Sequence, residues 1–216
     1  EKVSAIPFFT TMQKFCGVRF QSTHNVSNYI RGLIGRRTDL KGLSLFNRKR
    51  EEMTAAHVPE PKAGRWAGVA CIDFAAMYPQ IIVDANLCLT TKESKSGNGI
   101  RTVENGTHWN QEKTGVLPSL ISEMMDLRKK YKRKMNEAED EDTKFKYNML
   151  QLAVKVNSNA CYGYVSQKAV GGGWIDPDIG ATITYYGRKC INMLLSESEV
   201  LGYKALAGHT DSGYIQ

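Results

Sequence analysis

The order of apolar and polar residues divides the chain into stretches of distinct character. Residues 67–74, AGVACIDF, form a continuous apolar run closed by Asp73, the pattern of a buried strand with a carboxylate at its exit. Pro79 suits the first turn of a helix through the following QIIVDANL. Residues 92–113, rich in Gly, Ser, Thr and Asn, predict a loop. Leu117, Leu120, Ile121, Met124, Leu127, Tyr131 and Met135 then recur at helical spacing, with Pro118 at the helix start. The acidic EAEDED (137–142) predicts a turn, and Phe145, Met149, Leu152, Ala153, Val156 and Ala160 a second helix, giving an antiparallel helical hairpin. The stretch GGGW (171–174) with Asp176-Pro177 reads as loop and residues 179–195 as helix. YKALAGHTDSGYIQ (203–216) predicts a β-hairpin with His209, Thr210 and Asp211 at or near its tip. Residues 1–65 mix short apolar runs with basic clusters, VPEPKAGRW (58–66) is extended and proline-punctuated, and no internal repeat is visible. The fold class expected is α+β.

Composition sets the outer bounds. With 42% hydrophobic and 24% charged residues among 216, the chain has globular composition, which argues against a disordered tail or a collagen-like rod. No apolar run approaches the roughly 18 residues of a membrane-spanning helix, and no membrane partner is expected. No signal peptide is visible, and the first residue is Glu1 rather than Met, so a fragment of a longer protein is expected. The five cysteines form no CxxC pair and the four histidines no HExxH, which points to an intracellular setting without a disulfide framework or a cysteine zinc site. The net charge of 29 − 22 = +7 hints only weakly at a polyanionic partner.

Two groups of residues could carry chemistry. Asp73 and Asp211 lie far apart in sequence, each where a predicted strand ends or turns. On one sheet they could converge as hard oxygen ligands for Mg²⁺, completed by substrate phosphates. Two such ions about 3.5–4 Å apart clamp the attacking and leaving oxygens of a phosphoryl transfer. Taken alone, Asp73 could equally be a helix cap and Asp211 a turn residue. On the hairpin, Arg128 and Lys132 share one helix face, and Lys155 and Asn159 share another that continues to Tyr162 and Gly163. Arg and Lys suit triphosphate oxygens and Tyr162 offers a stacking face; the run RKKYKRK (128–134) could equally be a solvated basic face.

The order of these segments decides between the readings. DFAAMYPQII (73–82), KVNSNACYG (155–163) and HTDS (209–212) resemble, in order and rough spacing, the motifs DFxSLYPSII, KxxxNSxYG and DTDS of the family B (α-like) DNA-dependent DNA polymerases. VPEPKAG and NLCLTT resemble the segments flanking the first motif, GVLPSLISEMMDLRKKYKRKM the first fingers helix, and TITYYGR (182–188) the stretch before the third motif. The resemblance covers residues 50–216 most clearly. It implies an antiparallel palm sheet backed by helices and a helical-hairpin fingers subdomain. Residues 1–66 would then be a basic segment leading into the palm, 67–113 its first part, 114–165 the fingers, and 166–216 the second part of the palm.

The resemblance also implies roles. Asp73 and Asp211 would be the catalytic carboxylates and, with Phe74, the ligands of two Mg²⁺ ions. Arg128, Lys132, Lys155, Asn159, Tyr78 and Met77 would bind the dNTP, and backbone N–H groups from Phe74 through Tyr78 would face its phosphates. Tyr78 would exclude a 2′-hydroxyl. Tyr162 and Gly163 would flank the nascent base pair, and Thr184, Gly187, Arg188 and Thr210 would lie toward the primer and template. The implied partners are primer-template DNA, dNTPs and a processivity factor. The implied setting is intracellular, in a nucleus or at a viral replication site. A thumb and an exonuclease domain would lie outside this chain.

Departures from the motifs are specific. His209 stands where the third motif begins with Asp, Ala160 follows Asn159 where serine is usual, and Ala76 stands where the first motif commonly has serine. His209 motivates the alternative of a catalytically degenerate, polymerase-derived nucleic-acid-binding scaffold. The divergence hints at a viral or other fast-evolving lineage. The charge also divides unevenly: residues 1–70 hold 12 Lys/Arg and 5 Asp/Glu, whereas residues 71–216 hold 17 of each. The basic segment, with Arg36, Arg37, Arg48 and Arg50, is therefore a candidate for sequence-independent template-phosphate contacts.

Overall fold

The computed structural model describes residues 2–19, 26–36, 59–166 and 176–216. Arg37, Arg48, Arg50 and the GGGW stretch lie outside the described residues. Two N-terminal helices, α1 (Lys2–Cys16) and α2 (Val26–Gly35), precede the palm-like segment. Neither was foreseen in the mixed pattern of residues 1–65. Arg36 donates from Nη1 to the Phe15 carbonyl at 3.1 Å, so this cation closes the end of α1.

Strand β1 (Ala70–Asp73) leads through a tight turn into α3 (Met77–Asp84). The predicted hairpin forms as β5 (Ala205–His209) and β6 (Ser212–Ile215), and β1 pairs antiparallel with β6 to give the order β1-β6-β5. Gly213 and Gly208 let this sheet lie close on the helix behind it, α6 (Pro177–Val200). A Cβ on Gly213 would stand 2.8 Å from a Leu194 methyl, and one on Gly208 3.0 Å from an Ile191 methyl.

Residues 92–113, expected as loop, contain a second antiparallel sheet. Strands β2 (Lys92–Glu93), β3 (Ile100–Thr102) and β4 (His108–Asn110) order as β2-β4-β3. Strands of two or three residues are too short for alternation to show. They are held by the wholly buried Trp109, whose indole N–H donates to Thr107 Oγ1 at 3.0 Å; that hydroxyl in turn meets Thr182 of α6 at 2.9 Å.

Asn86 joins this sheet to the helix that follows it. Its backbone is left-handed, with φ of 52°, a conformation that Asn tolerates. Its side-chain amide donates to the carbonyls of Asn110 at 2.6 Å and Lys113 at 2.8 Å, and its Oδ1 accepts from Gly115 N–H at 2.8 Å. Gly115 is the N-cap of α4 (Val116–Asn136) and offers no side chain. The free N–H groups of the first turn are met instead by Thr90 Oγ1 and Cys88 Sγ, each at 3.4 Å.

Helix α5 (Glu141–Ser166) returns along α4. Asp140 caps it, accepting from Thr143 N–H at 2.7 Å, so the acidic turn is shorter than expected. The predicted core face of α4 is observed through Met124. That of α5 is rotated: Phe145 and Val156 are 49% and 37% exposed, while Gln151, Val154, Asn157, Ser158, Cys161 and Val165 are buried. The reason is that α5 is packed by α1, α2, α3, α4 and α6, so polar residues on it are buried with partners. Asn157 donates to the Ala153 carbonyl at 2.9 Å and to Met12 Sδ at 3.3 Å, and accepts from Cys16 Sγ at 3.6 Å.

Candidate active site

Pairing of β1 with β6 fixes the first carboxylate. Asp73 lies opposite Ser212, and Ser212 is also opposite His209 across the hairpin. The Ser212 hydroxyl donates weakly to Asp73 Oδ2 at 3.4 Å, and the Phe74 N–H donates to the Asp211 carbonyl at 2.8 Å. The chain just past Asp73 is thus tied to the hairpin tip that carries Asp211, where Thr210 adopts a left-handed φ of 47°. Asp73 and His209 are exposed and Asp211 is half-buried. Among the described residues, no group of three or more His, Cys, Asp or Glu side chains converges on one point. The backbone bond and the Ser212 contact bring the two segments that carry Asp73 and Asp211 together at one edge of the sheet. The Phe74 N–H, expected to face phosphates, is committed to Asp211.

The turn from β1 into α3 is strained. Ala76, the N-cap of α3, has φ 55° and ψ 44° and makes no side-chain cap. A left-handed alanine costs about 1–2 kcal/mol, and such strain collects where a site over-determines the backbone. The turn aims Tyr78 back toward α5 and α6. Its ring meets Tyr162 at 4.5 Å between centroids, tilted by 53°. Burial pushes the Tyr78 hydroxyl up to about 12, Tyr162 and Asp211 add to the rise, and Arg188 opposes it. Tyr78 is thus a neutral ring at physiological pH, within electrostatic reach of Asp211 and Arg188. Met77 is buried beside it.

On the hairpin, Arg128 is half-buried and its Nε donates to Gln151 Oε1 at 3.5 Å, one turn before Lys155 on the neighbouring helix. Lys132, Lys155 and Asn159 are exposed. A Cβ on Gly163 would meet nothing within 4 Å, leaving open space beside Tyr162. Thr184 and Gly187, expected toward the primer and template, lie on the buried face of α6. Thr184 is 1% exposed and donates back into its own helix, to the carbonyls of Gly180 at 3.2 Å and Ala181 at 3.1 Å, and Gly187 is buried under Tyr78. Arg188 is half-buried. Ser212 and Ala76 both stand in the motifs, but the Ser212 bond to Asp73 and the left-handed backbone of Ala76 were not foreseen. The first could have been found by extending the predicted hairpin register to the predicted strand; the second shows only in the turn geometry.

The fold is that of a palm and fingers. The chain aligns over 98% of its length, with a TM-score of 0.77 and 24% identity, with 29% of the family B DNA polymerase of Pyrobaculum calidifontis. The sequence profile of DNA polymerase family B matches residues 37–209, and the chain belongs to that family. It is 29% identical over 168 residues to DNA polymerase 1 of Pyrococcus abyssi, covering 77% of this chain and 22% of that enzyme. It is 33% identical over 138 residues to the DNA polymerase delta catalytic subunit of Caenorhabditis elegans, covering 61% of this chain and 12% of that subunit. The chain thus spans about a fifth of the length of the archaeal relatives it matches. Among the described residues, no helix is long and apolar enough to cross a membrane.

Proposed function

We propose that this chain carries the catalytic palm and fingers of a template-directed DNA polymerase, transferring deoxynucleotides from dNTPs to a primer 3′-hydroxyl. The observation that carries the reading is the joining of the chain at Asp73 to the Asp211 hairpin near the tilted ring pair Tyr78 and Tyr162. Residues 67–113 and 166–216 make the palm, 114–165 the fingers, and 1–66 the basic lead-in. Asp73 and Asp211, with Phe74, hold two Mg²⁺ ions; their oxygen donors and exposure suit a hard cation. When bound, the ions neutralise phosphate charge and lower the cost of forming the primer alkoxide.

The protein's own groups position the reactants, which is most of what phosphoryl transfer asks of a protein. Arg128, Lys132, Lys155 and Asn159 offer the fingers' donors to the triphosphate. Tyr78, uncharged and held against Tyr162, packs under the sugar and excludes a 2′-hydroxyl. Tyr162 and the open space at Gly163 accept the nascent pair. Arg188 and Thr210 lie toward the primer, and a processivity factor is a further partner. His209 supports a second reading, a degenerate DNA-binding scaffold. Primer extension by the intact protein that contains this chain, with and without Asp211→Ala, separates the two. Metal-dependent extension lost in the variant supports synthesis; equal extension, or none by either, overturns it, and rescue of a silent enzyme by His209→Asp would establish decay.

A further inference from the structure

Gly187 sits in the interior of α6, where glycine costs about 1 kcal/mol relative to alanine. Its backbone is not among the positive-φ positions, so conformational freedom does not explain it. What does is the neighbour. A Cβ built on Gly187 would lie 2.9 Å from Tyr78 Cε1, 3.3 Å from Met77 Cε and 3.8 Å from Tyr78 Cδ1. The first distance is shorter than any ordinary carbon contact. The Tyr78 ring therefore rests against bare helix backbone.

A second side of the ring is also occupied. There it meets Tyr162 of α5, at 4.5 Å between centroids. Backing α6 away would part Thr184 and Ile191, three residues before and four after Gly187 and both 1% exposed, from the core. Met77, which shares the contact with Gly187, is itself in the core. Any side chain at 187 must therefore displace the Tyr78 ring.

We infer that Gly187 is a positioning residue for sugar selection: its missing side chain forms the seat that sets how far the Tyr78 ring stands from the nucleotide. This rests on the reading of Tyr78 as the group that excludes a 2′-hydroxyl, and extends it to a second helix. A wall made of one ring discriminates a single hydroxyl only if its distance is fixed, and misplacement by about 1 Å costs on the order of 10²-fold in such sites.

The test is single-nucleotide incorporation by the intact protein, comparing kcat/KM for a dNTP and the matching rNTP. Gly187→Ala is expected to lower the deoxyribonucleotide preference about tenfold, a few tenths of an ångström being a fraction of that misplacement. In a Tyr78→Val background, where the smaller side chain leaves room for the added methyl, the same substitution is expected to change the preference less than about twofold, since the coupling is removed with the ring. A preference unchanged by Gly187→Ala, or an equal shift in both backgrounds, overturns the inference. A parent protein that incorporates neither nucleotide overturns the polymerase reading itself, and melting then tests the contact. If Gly187→Ala melts early, recovery in the Tyr78→Val double variant supports it and no recovery overturns it.

Discussion

The two small sheets share a size and an antiparallel plan but spend their polar groups in opposite ways. In β2-β4-β3, Trp109 is wholly buried and its indole is bonded to Thr107, which is bonded to Thr182. In β1-β6-β5, every residue of β1 is exposed, Ile72 to 39%, and Asp73 accepts one long hydroxyl contact, from Ser212, among the described residues. The first sheet spends the donor of its buried indole inside the protein and so contributes stability. The second leaves carboxylate oxygens open at its edge, which costs little in water and retains capacity for an incoming ligand. Unspent capacity at a fixed position distinguishes a site from a scaffold.

The strongest challenge to that contrast is Asp73→Asn. Nucleotide incorporation by the intact protein is expected to fall by about 10³ or more, equivalent to roughly 4 kcal/mol of barrier. The urea midpoint should barely move, because exposed substitutions without buried partners stay within about 0.5 kcal/mol. A destabilised but active variant would reverse the roles given to this sheet.

Trp109→Ala reads the other half. Removal of a wholly buried indole is expected to cost about 3–5 kcal/mol, measured by urea unfolding. Incorporation per folded molecule should change little at low temperature. A stable variant with lost activity would show that the second sheet belongs to the site.

What could be read from the sequence divides along the same line. Asp73, Asp211, Tyr78 and the helical-hairpin residues stand in recognisable segments. The two hairpin helices follow from long periodic runs and the β-hairpin from a clear turn, while the apolar run 67–74 marks the strand but not its face, because β1 is exposed where a buried strand is expected. The β2-β4-β3 sheet did not show because its strands are two or three residues long and its stability comes from Trp109 and Asn86, which act through tertiary partners. The face of α5 was misphased for a related reason. Five helices surround it, so Asn157 and Ser158 are buried on hydrogen bonds that no hydropathy pattern registers. Thr184 and Gly187 were placed toward the primer and template by resemblance; no pattern in the sequence showed that Thr184 bonds its own helix carbonyls and that Gly187 lies against Tyr78.

The contact between the second sheet and α6 gives a third, smaller test. Lys92 Nζ lies 2.9 and 2.7 Å from the two Asp176 oxygens and also pairs with Asp178. Asp176 is 1% exposed and caps α6 through the Asp178 N–H at 2.9 Å. Lys92→Met leaves that carboxylate buried without its cation. Breaking a fully buried pair costs about 3–5 kcal/mol; here about 2–3 kcal/mol is expected, because Asp178 and part of Lys92 still reach water. Unchanged unfolding would mean that the cap alone satisfies Asp176.

The smallest expected effect belongs to Glu104, on the exposed rim between that sheet and α6. It accepts from the Tyr185 hydroxyl and, at 3.0 Å, from Lys189 Nζ. Those two bonds hold its carboxyl below the ordinary value of 4.5, the Tyr185 bond contributing most. A carboxylate lowered in the fold contributes stability that is present above its unfolded value and lost as pH falls through the lower folded one. Stability should therefore decline on acidification below about 4.5, and Glu104→Gln should flatten part of that decline while leaving the neutral-pH slope unchanged. The same bonds raise Tyr185 and Lys189, so their contribution is present below their ordinary values and fades as pH rises through the raised ones. Because all three groups lie at the surface, added salt should shrink the acid-side difference between parent and variant. Urea midpoints from pH 3 to 7 at low and high salt measure it. Identical acid slopes in the two proteins would make Glu104 a bystander, and would leave the Asn105 and Thr107 bonds to Thr182 and the Lys92 pairs with Asp176 and Asp178 to join the sheet to α6.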